Sequence, residues 1–179
     1  MAEKLLIISD MWGAKKGLWI TSYFGYLQQY YDISFYDSQQ LACIDEPIHT
    51  KENIQKAFIN GGINTAVAHL LKKEINPSHV LAFGSGGTIA WKANLKGLPM
   101  KSLTILSATK LQSEEKSPKV DTNLIYGEYD QIKPDLMWAN KLGVNLNIIP
   151  NFGHELYSDE KIICQVSMNL LEMVTSKAS

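Results

Sequence analysis

The sequence has no arginine: all 17 of its basic residues are lysine. Arginine is the side chain best suited to grip a carboxylate or phosphate with two parallel hydrogen bonds, so its absence counts against a site built on that recognition. The net charge of −1 gives no field that would draw in nucleic acid or an acidic membrane surface. Only two cysteines occur, Cys43 and Cys164, too few and too far apart for a disulfide scaffold or a zinc site. Both are expected to be reduced, with Cys164 in an apolar helical pattern. No metal-ligand spacing is present, and neither a metal nor a cofactor is expected. No apolar run reaches membrane-spanning length. The start, Met1-Ala2-Glu3-Lys4, lacks the basic region, long apolar stretch and cleavage site of a secretion signal. The expectation is a cytoplasmic protein that partners neither nucleic acid nor membrane.

What is present is the composition of an ordinary globular domain, 45% hydrophobic and 20% charged over 179 residues. That length is enough for one domain, spanning 1–179, with a substantial core. Short apolar runs at 4–9 (KLLIIS), 32–37 (DISFYD), 80–83 (VLAF), 103–106 (LTIL), 123–126 (NLIY) and 146–149 (LNII) read as strands. Between them the apolar spacing is helical, as at Ile20, Tyr23, Phe24 and Leu27. Gly61-Gly62 interrupts the helical pattern of 51–74 and predicts a kink or two short helices. Residues 38–50 read as a polar loop, Pro134 as the first position of a helix, and Ser158 as the cap of the last one. Strands alternating with helices argue for an α/β three-layer sandwich: a mostly parallel six-stranded sheet with helices on both faces. In such a fold the site lies beyond the carboxyl ends of the strands.

The sharpest local signal is Val80-Leu81-Ala82-Phe83-Gly84-Ser85-Gly86-Gly87-Thr88. An apolar strand meets a cluster of small residues, and a helical pattern begins at once. This is strand, tight turn, helix, and the turn needs residues that tolerate unusual backbone angles and close approach. Two later loops carry chemistry: Gly127-Glu128-Tyr129-Asp130 after one strand, and Phe152-Gly153-His154-Glu155 after the next. An acid that orients a histidine is the base half of a nucleophilic machine.

Taken together, these segments resemble the α/β-hydrolase superfamily. Ala82-Phe83-Gly84-Ser85-Gly86-Gly87 looks like its nucleophile elbow, and the order turn, acid, histidine is the order that family uses. The resemblance implies that Asp130 is the acid and His154 the base. It also implies that the loop Asp10-Met11-Trp12-Gly13 supplies an oxyanion-hole N–H. The segment 109–121, where the family often inserts a lid, is short, which implies an open site.

One feature departs from the family pattern. The elbow rule wants small residues two before and two after the nucleophile. Centring on Gly84 satisfies it with Ala82 and Gly86, but places glycine where the nucleophile belongs. Centring on Ser85 restores a hydroxyl and puts the bulky Phe83 at a small position. Ser85 is then either a nucleophile or a helix cap, and Asp130 either a catalytic acid or a turn residue.

Two functions follow from the resemblance. One is a small serine hydrolase, esterase- or thioesterase-like: Ser85 attacks an acyl carbonyl, His154 takes the proton, Asp130 holds the imidazole, and N–H groups of Gly86 and the Asp10–Trp12 loop stabilise the oxyanion. The other is a pseudoenzyme of the same fold that binds a small molecule or a partner protein. A nucleotide-binding turn is a weaker match, since it would call for an acid about 20 positions on and residues 103–107 hold none. The apolar last helix and an open sheet edge permit a homodimer.

Overall fold

The sheet strands carry side chains of opposite destiny at alternate positions, and both sets are apolar. A computed structural model describes residues 1–176. Its six strands are β1 (Glu3–Ile8), β2 (Tyr31–Tyr36), β3 (Ser78–Phe83), β4 (Met100–Leu106), β5 (Thr122–Gly127) and β6 (Asn145–Ile149). They lie in the order β2-β1-β3-β4-β5-β6, and every pairing is parallel. The helices are α1 (Ile20–Leu27), α2 (Ser38–Leu41), α3 (Lys51–Ala57), α4 (Ile63–Lys73), α5 (Ser85–Leu95), α6 (Leu136–Leu142) and α7 (Glu160–Thr175).

Two cores result. On one face Leu5, Ile7, Leu81 and Phe83 pack with Tyr23 and Leu27 of α1 and Ile163 and Val166 of α7. On the other face their neighbours Leu6, Ile8, Val80 and Ala82 pack with Ile54 of α3, Leu70 of α4 and Ile89 of α5. This is the three-layer α/β sandwich expected from the strand and helix alternation.

Several local expectations are corrected. Ser158 does not cap α7: its Oγ turns back to donate to Glu155 O at 2.9 Å. Asp159, in extended conformation, accepts from the Lys161 N–H at 2.9 Å instead. Pro134 likewise precedes the helix, because Asp135 caps α6 by accepting from Trp138 N–H at 2.7 Å. Within the polar segment 38–50, α2 forms because Asp37 accepts from the Gln39 and Gln40 N–H groups. The expected interruption at Gly61-Gly62 is present as a π-type turn, Phe58–Gly62, in which Gly61 takes φ +122°.

Candidate functional site

The chain leaves β1 toward β2 on one side and later places β3 on the other side of β1. The carboxyl ends of β1 and β3 therefore flank the point where the winding reverses, the position at which parallel α/β sheets form ligand clefts. Asp10 follows β1 and Gly84 follows β3.

Gly84 takes φ +52° and ψ −124°, while Ser85 is already the first residue of α5. The strained position of the turn is thus a glycine, and the backbone there suits glycine best. The flanking small residues have steric causes. A Cβ on Gly86 would meet Ile8 O at 2.8 Å and Ile8 Cγ2 at 2.9 Å, besides Ser9 O. One on Gly87 would meet Ala108 Cβ at 3.0 Å, besides Ile105. Ala82 faces the α5 layer and Phe83 the opposite layer, where its ring lies 4.7 Å from Trp19 and 5.0 Å from Tyr23. Phe83 is accommodated because the turn is centred on Gly84, so that no small residue is required at 83.

The acid and histidine loops are held together by bonds from backbone N–H groups. Tyr129 N–H donates to Phe152 O at 2.9 Å, and Asn151 N–H to Glu128 Oε2 at 3.0 Å. Gly127 permits this approach, since a Cβ there would collide with Phe152 O and Gly153 O. Asp130 and His154 meet as a consequence, with His154 Nδ1 2.9 Å from Asp130 Oδ2. Asp130 Oδ1 accepts the Ile132 N–H at 3.0 Å. Burial pushes the Asp130 carboxyl upward, but hydrogen bonds from His154 and Ile132 outweigh it, and the carboxyl is held below its ordinary value.

These loops and the turn enclose a cavity of about 310 Å³. Its walls include Ser85, Asp130 and His154, and also Asp10, Met11, Trp12 and Gly84. Gly86 lies beneath the turn against β1 and does not line the cavity. Ser85 reaches the cavity, yet no hydrogen bond joins it to His154 among the described residues. Its N–H and that of Gly86 open α5, where no preceding helical turn supplies carbonyl partners.

Three features escaped the sequence reading. The Trp12 N–H, in the loop expected to serve an oxyanion, donates to Asp10 Oδ1 at 3.1 Å. Tyr157 donates its hydroxyl to Asp10 Oδ2 at 3.0 Å, and its ring stands edge-on to His154 with centroids 6.2 Å apart. Ser107, after β4 with φ +52°, donates to His154 O at 2.6 Å and so anchors the histidine loop. Tyr157 lies three positions beyond His154, and Ser107 at the carboxyl end of a strand, which are the available sequence signals. Burial raises the Asp10 carboxyl above its ordinary value, against the hydrogen bonds from Tyr157 and Trp12. Among the described residues no cluster of metal-ligating side chains exists, and no helix is long and apolar enough to cross a membrane.

No protein-family model matches the chain, and no curated protein matches it in sequence. Solved structures do match in shape. A candidate hydrolase of the alpha/beta superfamily from Xanthomonas campestris pv. campestris superposes with a TM-score of 0.70 at 14% identity, covering 97% of this chain and 99% of that one. A predicted CIB-like hydrolase from Thermoplasma acidophilum gives 0.67 at 15% identity, covering 94% and 86%. Naproxen esterase from Bacillus subtilis gives 0.61 at 13% identity, covering 96% and 83%. The six-stranded parallel sheet, its two helical layers and these superpositions establish that the chain has the α/β-hydrolase fold.

Proposed function

We propose that this chain is a hydrolase-fold protein whose cleft binds a small molecule without forming a covalent intermediate. The observation that carries this reading is the backbone of the turn: Gly84 occupies the positive-φ position and Ser85 begins the helix. A side chain at residue 84 would be displayed toward the cleft, and glycine has none. The Asp130–His154 pair then serves to bind and orient a ligand at the cleft wall, with the His154 ring held by Asp130 from one side.

A second reading is a small serine hydrolase, esterase- or thioesterase-like. It is favoured by the shared cavity of Ser85 and His154 and by the hydrogen-bonded acid behind the histidine. In it Ser85 attacks the acyl carbonyl, His154 accepts the proton, and Asp130 holds the imidazole. Turnover of p-nitrophenyl acetate separates the two. The first reading expects the wild type to be no faster than Ser85→Ala. Activity that disappears in Ser85→Ala, with the fold intact, establishes the second.

A further inference from the structure

The floor of the cleft carries a buried carboxylate that neither reading uses. Asp10 is only 4% exposed. Its two oxygens accept from neutral donors, the Trp12 N–H and the Tyr157 hydroxyl. Among the described residues no lysine or histidine lies within ion-pair distance of it. A buried carboxylate is ordinarily paired with a cation, because two neutral hydrogen bonds do not replace full hydration. Its place in the cleft is also the place where an acyl oxyanion would need positive potential. The Trp12 N–H that could provide it is turned onto the carboxylate itself. Gly84 lines the same cavity, and its missing side chain would have entered 3.3 Å from Asp10 Cβ, at the stem of the aspartate. A second chamber of about 380 Å³ adjoins, sharing Gln55, Ser85, Thr109 and Ile132 with the first; Phe58, Ile59 and Ile63 line it along with Lys92, Lys110 and Glu114, while Lys51 and Glu155 line the first.

We propose that Asp10 selects the ligand: the cleft accepts a primary amine, as its ammonium ion, attached to a short apolar body, and rejects a carboxylate of the same size. The ammonium group sits over the bare Gly84 and pairs with Asp10, and the apolar body extends into the chamber lined by Phe58 and Ile63. A cation there offsets the desolvation of Asp10, whereas an anion would add like-charge repulsion. The inference deepens the ligand-binding reading of the cleft and rests on it for the site, but it is tested by head-group preference rather than by covalent labelling.

The test uses the ¹⁵N-labelled protein titrated with n-butylammonium chloride and, separately, with sodium butyrate. Shifts of the Trp12, Gly84 and Ser85 amides are followed at fixed pH and ionic strength. Butylammonium is expected to move these amides saturably and butyrate to leave them unmoved. Asp10→Asn keeps the acceptor for Trp12 and removes the charge, and should weaken butylammonium binding by at least about tenfold. Butyrate binding as tightly as butylammonium overturns the proposal, as does a failure of butylammonium to move these amides. Undiminished butylammonium binding in folded Asp10→Asn overturns it too. The wild-type comparison stands whether or not the variant folds. Labelling of Ser85 by an acylating probe would remove the non-covalent reading without touching this preference.

Discussion

A Cβ on Gly84 would lie 3.3 Å from Asp10 Cβ, so the ends of β1 and β3 bring the stem of a buried aspartate against a turn with no side chain. The two strands are neighbours in the sheet, with Ile8 paired to Ala82. The geometry of the cleft floor therefore follows from strand register. It is coupled to folding at four positions that can each be varied.

Phe83 belongs to the aromatic cluster of Trp19, Tyr23 and Tyr157, on the face away from α5. It is fully buried. Phe83→Ala should cost about 3–5 kcal/mol, from lost burial and the cavity left behind. Urea unfolding measures it; a loss below about 1 kcal/mol would show that the cluster does not support β3.

Gly86 has no room for a methyl group, since the carbonyls of Ile8 and Ser9 close over it. Rigid backbone must move to admit one. Gly86→Ala should destabilise the fold by about 1–3 kcal/mol or more. The same substitution at Gly97, where a Cβ meets nothing within 4 Å, is limited only by its φ of +103°. Equal urea midpoints for Gly86→Ala and wild type would contradict the packing of α5 on β1.

Asp10 and Asp130, both lining the cleft, have opposite linkage to pH. Burial raises Asp10 above the ordinary 3.8, so the unfolded chain ionises first as pH rises. Asp10 thus destabilises the fold increasingly as pH climbs from 3.8 to its raised native value, with a plateau above. Asp130 is lowered despite its burial because His154 and Ile132 donate to it. Its stabilisation is complete above the ordinary carboxylate range and is lost as pH falls through its lowered native value. Thermal melts across this range should show Asp10→Asn gaining on wild type as pH rises, and Asp130→Asn falling behind it. A pH-independent difference for either variant would contradict the assignment.

Much of this arrangement was legible in the chain. The apolar runs flanked by helical spacing marked the six strands, and the glycines at 84, 86 and 87 marked the tight turn. Asp130 and His154 were visible because each stands just past a strand, and strand ends converge in a parallel sheet. The centre of the turn stayed open between Gly84 and Ser85, since small-residue spacing restricts the packing but does not set the dihedral angles. The Asp10 network was invisible for another reason. Its partner Tyr157 is 147 positions away, and nothing local announces that a loop N–H will bond its own aspartate side chain. Cap positions shifted by a residue because Ser158 found a competing acceptor in Glu155 O.

The central claim is that the turn is built to display a side chain and has none to display. Intact-mass analysis after treatment with a fluorophosphonate tests it in wild type, Ser85→Ala and Gly84→Ser. A serine at 84 inherits the φ of +52° and a tight contact with Asp10 Cβ, and points its hydroxyl into the cavity that His154 lines. The account predicts no adduct on wild type or Ser85→Ala, and a single adduct on residue 84 of Gly84→Ser that is lost when His154 is also replaced by alanine. An adduct on Ser85 of the wild type, or a folded Gly84→Ser that stays unlabelled, would contradict it.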